Sequence, residues 1–260
     1  MDKYMEFKSI DIVELEKKIN SAIMQRPKYS NYFLPDLSNV SFLEGENTLI
    51  LRKDYKDYNR IFFLSNDSEE LSNALRTLSS ADAINIPYRR ELNSELAIIL
   101  EHGGYSLFQK YERLYNNNVE QRGEFKANYA YMEDVDDMDA LLHKHFHTVS
   151  DRLPSREELV KYTENKQVQV SRDLSTNKVN GLIIFSIEGK FCRFLEWASD
   201  ASAGESLFLY LNAFNMMVEM GITKCTLWVR CGNVRARKIY DALGFQNDGL
   251  FDNTYLKINA

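Results

Sequence analysis

The chain has 260 residues, of which 44% are apolar and 27% charged, and its formal net charge is −6. This length is enough for one large domain or two of ordinary size, and the composition is that of a globular protein. The acidic balance disfavours nucleic acid as a partner, because phosphate backbones are bound by Lys and Arg.

The N-terminal residues 1–18 are charged throughout and lack the apolar core of a signal peptide. No run of 18 apolar residues predicts a transmembrane helix. We therefore expect a cytoplasmic protein without a membrane partner, as a monomer or a homodimer. Three cysteines without C-x-x-C spacing, at Cys192, Cys225 and Cys231, predict neither a disulfide framework nor a metal site.

A polar, Asn-rich stretch at 115–124 predicts a linker that divides the chain into segments 1–116 and 124–260. In the first segment, apolar residues near helical spacing predict a helix within 10–24. The predicted elements that follow are strands at 48–54 and 60–66, a helix at 68–78 with Ser68 as its N-cap, a strand at 83–88, a helix at 93–104 and a strand at 105–115.

The second segment predicts a mixed sheet covered by helices, because its strands run consecutively at first and alternate with helices later. A Ser155-x-x-Glu158 capping box marks one helix start. The predicted elements are a strand at 127–134, helices at 135–147 and 155–165, strands at 166–173, 181–189 and 191–199, a helix at 203–221, a strand at 224–230, a helix within 233–245 and a strand at 247–258. We predict an α/β fold of the α+β mixed-sheet type.

The stretch NVRARKIYDALGF, 233–245, predicts a well-capped helix by itself. Asn233 is a preferred N-cap, and Gly244 is typical of the residue that closes a helix in the left-handed region. Tyr240 belongs to an apolar face that recurs at helical spacing. These features are explained by helix formation alone, so on this evidence Tyr240 is either a core residue or a functional one.

The elements before this helix change that balance. A strand, a long apolar helix ending at Gly221, a second strand and then Asn-x2-Ala-x3-Tyr-x3-Gly-Phe resemble the C-terminal half of the GNAT superfamily, which transfers acyl groups from acyl-CoA, most often to an amine. The resemblance covers 127–259 and is specific from 195 to 245. The first segment repeats the order strand–helix–strand–helix–Gly-Gly, so we expect two tandem GNAT-like domains, with 1–116 either a degenerate copy or a supporting domain that shapes the acceptor pocket.

The resemblance implies a site for acetyl-CoA. Pantetheine would enter an opening between strands 193–198 and 225–229, and the pyrophosphate would meet the N-terminus of helix 203–221. Gly204 matches the family's phosphate loop, whereas Ala201 stands where the family has Gln or Arg. The acids at Asp200 and Glu205 are unfavourable there unless they point away. The residues expected at acetyl-CoA are Trp197, Ala198, Ser199, Ala203, Gly204, Glu205, Ser206, Asn233, Arg237 and Tyr240.

The resemblance also implies catalytic roles. Tyr240 would be the general acid that protonates the departing CoA thiolate, and a backbone N–H near Trp197 or Ala198 would hold the oxyanion. Glu196 is a candidate general base, although it could equally be a partly solvated acid, with water relaying the proton. Strand alternation predicts that Phe194 and Glu196 share one face, and that Leu195 and Trp197 share the other.

Other polar clusters leave alternatives open. His143 and His147 share a helix face at i, i+4, as metal ligands or as acceptor contacts, and the loop 148–157 is a second candidate for acceptor contact. The basic residues Arg235, Arg237 and Lys238 are either a solvated helix face or contacts to CoA phosphate.

In the first segment, the position of the phosphate loop reads SNDSEE at 65–70, with no Gly, so we expect no CoA there. The leading hypothesis is an N-acyltransferase for a small-molecule amine. The alternatives are a silent acyl-CoA-binding or interaction module and a transferase that uses aminoacyl-tRNA, which the net charge disfavours.

Overall fold

The chain divides inside two strands rather than in the predicted linker. Unit 1 contains residues 1–110 and 250–260, and unit 2 contains residues 111–249. The structure, a computed structural model, describes residues 7–33, 36–55, 58–79, 81–124 and 126–257. The division differs from the predicted segments because the end of the last strand belongs to unit 1, and the two predicted domains remain a prediction.

Unit 1 is a mixed sheet with helices packed on it. Its elements are α1 (Ile12–Met24), β1 (Tyr29–Ser30), β2 (Val40–Glu44), β3 (Thr48–Tyr55), β4 (Tyr58–Ser65), α2 (Ser68–Arg76), β5 (Asp82–Arg89), α3 (Ser94–His102), the first half of β6 (Tyr105–Asn116) and the end of β11 (Gln246–Lys257). The sheet order is β2-β3-β4-β5-β11, with β1 beside β4. Strands β4 and β5 are parallel, and the other pairs are antiparallel.

The N-cap of helix α2 is Asp67, one residue before the predicted N-cap. The Asp67 carboxylate accepts hydrogen bonds from the backbone N–H groups of Glu69 and Glu70, each at 2.9 Å. Ser68 is the first residue of the helix itself, so its prediction as the N-cap was wrong. A carboxylate caps as well as a hydroxyl does, and this one also places negative charge at the positive end of the helix.

Unit 2 is built around a sheet in the order β6-β10-β9-β8-β7. Its elements are the second half of β6, a 3-10 turn (Met132–Asp134), α4 (Val135–His145), α5 (Thr148–Asp151), α6 (Arg156–Glu164), β7 (Val168–Arg172), β8 (Val179–Glu188), β9 (Phe191–Ser199), α7 (Ala203–Glu219), β10 (Lys224–Arg230), α8 (Val234–Ala242) and the start of β11. Strands β9 and β10 are parallel, and the other pairs are antiparallel.

Helices cover both faces of the sheet in unit 2. The aromatic and aliphatic residues of α7 pack with α8 on one face, where Tyr210 and Phe214 meet Phe185 of β8. On the other face, α4 and α6 pack against Leu182 and Ile184 of the same strand. Most of α7 is therefore buried, as its apolar sequence requires. None of the described helices is long and apolar enough to cross a membrane.

The predicted strand at 127–134 was wrong. Among the described residues, this stretch forms an isolated bridge between Tyr129 and Gln169 and then turns. The backbone N–H of Tyr131 donates to Asp134 Oδ2 at 2.6 Å, which bends the chain into the 3-10 turn before α4. Asp134 is also paired with Arg172 of β7, so the acid that looked like part of a strand fixes a helix start instead.

Strands β6 and β11 are exchanged between the two units in the order of the sequence. β6 follows α3 in sequence, yet its residues Tyr111–Asn116 pair with β10 of unit 2. β11 follows α8, yet its residues Leu250–Leu256 pair with β5 of unit 1. Each sheet is thus completed by a strand that follows the helix of the other unit in the sequence.

Candidate active site

Strands β9 and β10 separate after a short parallel pairing. They pair at Phe191, Cys192 and Arg193 with Lys224, Cys225 and Thr226. Beyond these residues both strands continue, but they no longer pair with each other. β10 keeps its pairing with β6, on its other edge, from Cys225 to Arg230. The two strands therefore leave an opening between them in unit 2, at the position where the resemblance implies pantetheine.

A β-bulge interrupts β9 beside this opening. Glu196 lies opposite Ile184 and Phe194 lies opposite Phe185, so Leu195 is an extra residue without a partner across the pair. A bulge of this kind breaks the alternation of faces along a strand. Bulges are common next to active sites, where they redirect a side chain.

The bulge overturns the predicted alternation of β9. The rings of Phe194 and Trp197 both lie on the α7 face, 5.1 and 4.9 Å from the Tyr210 ring between centroids. Leu195 packs on the opposite face, against the core under α4 and α6. Glu196 shares that opposite face, because its partner Ile184 belongs to the same core and directly opposed residues point the same way.

Tyr240 lies on the α7 face, at the far end of helix α8. Its ring is 5.6 Å from that of Tyr210, 5.7 Å from that of Phe245 and 6.1 Å from that of Trp197, between centroids. The side chain is buried, and none of the hydrogen bonds among the described residues involves its hydroxyl. Burial raises the pKa of Tyr240 above its usual value, because the phenolate would lose its hydration. The phenol therefore stays protonated and can act as a proton donor.

Glu196 is half-buried on the other face of β9, and no described residue donates a hydrogen bond to it. Burial raises its pKa well above 4.5; Asp151 adds to the rise, and Arg230 opposes it. The Asp151 carboxylate already has hydrogen-bond donors, since it accepts from Tyr111 Oη at 2.6 Å and from Arg230 Nε at 3.2 Å. Glu196 is thus a carboxylate of raised proton affinity with unused acceptor atoms, which suits a general base.

The sequence analysis did not single out Arg230 or Tyr111. Both come from neighbouring strands, β10 and β6, and both hold Asp151 at the start of the loop that was predicted to contact the acceptor. The only signal in the sequence was an Arg at the end of an apolar strand. Strand ends often carry charge for solubility alone, so this signal is weak without the pairing of the strands.

The N-terminus of α7 carries a complete capping box. Ser202 Oγ accepts from the Glu205 backbone N–H at 3.3 Å, and the Ser202 backbone N–H donates to Glu205 Oε2 at 3.0 Å. The Glu205 carboxylate is therefore held back against Ser202, and hydrogen bonds from Ser202 lower its pKa. A Cβ built on Gly204 would meet no atom within 4 Å, so space is open beside the first turn.

The other acid beside this helix, Asp200, also has partners. Lys144 Nζ donates to its Oδ2 at 2.7 Å, and His145 Nε2 lies 2.8 Å from its Oδ1. The Lys144 ammonium holds the pKa of Asp200 below its usual range. Asp200 is thus paired with cations, and the exposed Glu205 carboxylate is held by Ser202. Ser199 and Ser206 share a hydrogen bond of 2.7 Å below the same turn.

The basic residues of α8 differ in what they contact. Arg237 is held by two carboxylates, with Nη1 donating to Glu112 at 2.7 Å and Nε to Asp241 at 2.8 Å. Arg235 and Lys238 are exposed. The structure therefore brings Arg237 to acids of its own unit, and a contact between Arg237 and CoA remains a prediction.

The prediction that His143 and His147 share one helix face was wrong. Helix α4 ends at His145, and Phe146 is extended, so His147 lies outside the helix that carries His143. His143 Nδ1 lies 2.9 Å from the carbonyl oxygen of Asp139, and His147 caps α5. The described residues contain no group of three or more His, Cys, Asp or Glu side chains that could hold a metal ion.

Helix α8 begins and ends as predicted. Asn233 Oδ1 accepts from the backbone N–H of Ala236 at 3.1 Å, and Gly244 has a φ of 84°, in the left-handed region. The backbone N–H of Phe245 donates to the Tyr240 carbonyl at 3.0 Å and closes the helix. The caps fix where α8 ends, and so they fix the position of Tyr240.

No protein-family model matches the sequence, and no curated protein matches it either. Solved structures do match. A GCN5-related N-acetyltransferase from Sphaerobacter thermophilus is 10% identical, with a TM-score of 0.56 over 85% of this chain and 81% of its own. A GNAT-family acetyltransferase from Colwellia psychrerythraea is also 10% identical, with a TM-score of 0.54 over 97% and 100%.

A tandem GNAT protein from the clavulanic acid biosynthesis pathway, solved without acetyl-CoA, matches across nearly the whole length of both chains. It is 10% identical, with a TM-score of 0.53 over 98% of this chain and 99% of its own. Identities this low establish architecture and leave activity open. The chain has the fold of the GNAT acetyltransferases.

Proposed function

We propose that unit 2 transfers an acyl group, in the first instance acetyl, from acyl-CoA to the amine of a small molecule. The observation that carries the proposal is the opening between β9 and β10, with Tyr240 on one face of β9 and Glu196 on the other. A proton donor and a proton acceptor thus lie on opposite sides of a gap in the sheet. Acyl transfer from a thioester to an amine needs both.

The chemistry follows from these positions. Glu196 takes a proton from the ammonium group of the acceptor, directly or through water, and the free amine attacks the thioester carbonyl. A backbone N–H of β9 near Trp197 or Ala198 stabilises the oxyanion. As the tetrahedral intermediate collapses, the C–S bond breaks and Tyr240 protonates the departing thiolate. The positively charged nitrogen then gives its extra proton, through water, back to the Tyr240 phenolate, and Glu196 releases its proton to solvent. The products are an amide and CoA.

Binding of the donor is assigned to the first turn of α7. The backbone N–H groups of Ala203 and Gly204 precede the first intrahelical hydrogen bond, which Ser206 donates to Ser202. Such amides and the helix dipole attract phosphate. The open space at Gly204 and the partners of Asp200 support this assignment although Ala201 cannot supply a polar side chain.

Unit 1 is proposed to be a degenerate second copy without CoA. It repeats the antiparallel strands, the short parallel pairing and the intervening helix, at β4, α2 and β5. The start of its helix α2 is filled, because the Asp67 carboxylate accepts from the backbone N–H groups of Glu69 and Glu70, each at 2.9 Å. The Glu70 carboxylate, in the first turn, accepts from the backbone N–H groups of Glu46 at 2.6 Å and Asn47 at 2.8 Å, in the turn between β2 and β3. Carboxylates occupy the place that a phosphate would need.

Calorimetric titration with acetyl-CoA tests the proposal. We expect one molecule to bind per chain, and a concentration of 100 times the dissociation constant to stabilise the protein by about 2.7 kcal/mol in thermal unfolding. A library of amines, assayed by release of free thiol, then identifies the acceptor. Absence of binding by any acyl-CoA contradicts the proposal.

The same titration separates the alternatives. Binding of acyl-CoA without thiol release from any amine would favour a silent acyl-CoA-binding module. Two bound molecules per chain would contradict the assignment of unit 1. A transferase for aminoacyl-tRNA would bind tRNA with an affinity that falls steeply with salt, which a chain of net charge −6 is not expected to do.

Replacing Asn233 with Ala tests whether this cap also contacts CoA. We expect the free energy of unfolding to fall by about 1 kcal/mol, because the N–H of Ala236 loses its acceptor. Asn93→Ala is the matched control, since Asn93 caps α3 by accepting from Glu95 N at 3.0 Å. Both variants should lose stability, and only Asn233→Ala should weaken acetyl-CoA binding. Equal affinities in the two variants would restrict Asn233 to capping.

A further inference from the structure

Three aromatic side chains form a triangle on the α7 side of the opening. The ring centroids of Trp197 and Tyr210 are 4.9 Å apart, those of Tyr210 and Tyr240 are 5.6 Å apart, and those of Trp197 and Tyr240 are 6.1 Å apart. They come from β9, α7 and α8, so each is held by a different element. We call this group the aromatic triangle.

The polar atoms of the aromatic triangle are unused. Trp197 Nε1 and Tyr210 Oη are fully buried and have no hydrogen-bond partner within the part of the chain that the structure describes. Buried polar groups are nearly always paired, so orphaned donors of this kind call for an explanation.

The missing partner must be an acceptor. An indole N–H can only donate, and a tyrosine hydroxyl can donate as well. The rings that carry these two groups are in contact, with their centroids 4.9 Å apart. Tyr210 is completely buried, and burial raises its pKa well above the usual value, so its hydroxyl keeps its proton at any physiological pH. The side chains around it are aromatic, aliphatic or sulfur-containing, and among the described residues none accepts a hydrogen bond from it.

We propose that Trp197 Nε1 and Tyr210 Oη together donate hydrogen bonds to the thioester carbonyl oxygen of the bound acyl-CoA. This inference rests on the proposed function, because it needs an acyl group in the opening between β9 and β10. The backbone of β9 is then not the sole source of oxyanion stabilisation. Two side chains from different elements share that role.

The assignment is consistent with the chemistry of the step. When the amine attacks, the C–N bond forms and the carbonyl π electrons move to oxygen, which becomes an oxyanion. Both donors keep their protons and strengthen their hydrogen bonds as that charge develops. When the C–S bond breaks, the electrons return to the carbonyl, and Tyr240 gives its proton to sulfur. Donation to oxygen and protonation of sulfur thus belong to different corners of the triangle.

A pair of ligands isolates the carbonyl. Acetyl-CoA carries the oxygen, and S-ethyl-CoA, the unreactive thioether, has CH2 in its place. We expect Tyr210→Phe and Trp197→Phe each to weaken acetyl-CoA binding about 2- to 10-fold in calorimetry and to leave S-ethyl-CoA binding unchanged. With the acceptor amine, kcat/KM should fall further, by about 10²-fold, because the oxyanion needs the donors more than the ground state does.

Tyr105→Phe is the matched control. Tyr105 lies in unit 1, and its hydroxyl is likewise buried without a partner among the described residues. Removing either hydroxyl deletes an unsatisfied polar group, so neither Tyr105→Phe nor Tyr210→Phe should lower the melting temperature of the free protein. Only Tyr210→Phe should then lose affinity for acetyl-CoA, which is the signature of a donor reserved for a ligand.

The outcomes are distinct. Equal losses of affinity for acetyl-CoA and S-ethyl-CoA would show that the aromatic triangle only packs against the CoA arm, and would overturn the inference while leaving the proposed function intact. Unchanged affinities for both ligands would overturn it as well. Binding of neither ligand by the unmodified protein would overturn the proposed function, and this inference with it.

Discussion

Replacing Tyr240 with Phe lowers the rate of acyl transfer about 10²- to 10⁴-fold, the typical contribution of a positioned proton donor. None of the hydrogen bonds among the described residues involves its hydroxyl, so the removal of that hydroxyl breaks no bond in the free protein. The ring contacts with Trp197, Tyr210 and Phe245 are kept by Phe. We therefore expect unchanged folding and acetyl-CoA affinity, measured by thermal unfolding and calorimetry, beside the loss of kcat.

The pH profile adds a second readout for Tyr240. Because its pKa is raised above 10.0, the phenol stays protonated through the working range, and the rate should not fall on the alkaline side until the pH passes 10. Tyr105→Phe serves again as the control that removes a buried hydroxyl elsewhere. Turnover that survives Tyr240→Phe would show that the thiolate leaves without this acid.

Replacing Glu196 with Gln removes the proposed base, and the rate of transfer should fall about 10²- to 10⁴-fold at neutral pH. In the unmodified protein, kcat/KM should decline toward acid through a pKa above 4.5, since the carboxyl is raised by burial and by Asp151. The variant should lose this limb. Activity of Glu196→Gln equal to that of the unmodified protein would assign proton removal to water alone.

The same variant should lose activity but gain stability at neutral pH. A carboxyl whose pKa is raised in the folded state contributes stability below its unfolded pKa, and loses that contribution as the pH rises through the folded pKa. Glu196→Gln should therefore unfold with the same free energy as the unmodified protein well below pH 4.5, and become the more stable protein as the pH rises. Urea unfolding across this range measures the difference. A variant that loses both activity and stability at neutral pH would contradict an unpaired carboxylate.

The elements of unit 2 were largely predictable because their signals are local. The N-caps of α6, α7 and α8 are Ser155, Ser202 and Asn233, which are residue types that favour helix starts. The apolar runs of β8 and β9 are too long for loops. The predicted strand at 127–134 failed for a related reason. A run of apolar residues at 129–132 favours a strand, whereas the hydrogen bond from Tyr131 to Asp134 favours a turn, and only the structure shows which prevails.

The candidate site was predictable only in part. The resemblance led to Tyr240 and Glu196, but the direction of Glu196 depends on the bulge at Leu195, which is a property of two paired strands and not of one. The partners of Asp200 and Asp151 that come from other elements, Lys144, His145, Tyr111 and Arg230, are 40 to 79 positions away. Unused donors such as Tyr210 Oη are invisible in a sequence, because any Tyr in an apolar helix looks like core.

The exchange of β6 and β11 has a consequence for the order in which the protein is made. Unit 2 is continuous in sequence, from 111 to 249, so all of its strands have been synthesised once residue 249 is added. The sheet of unit 1 still lacks Leu250–Leu256 at that moment. Domains usually fold from the N-terminus onward during synthesis. Here the unit that is first in the sequence is the last to be completed. Until β11 is made, the edge of β5 has no strand paired with it.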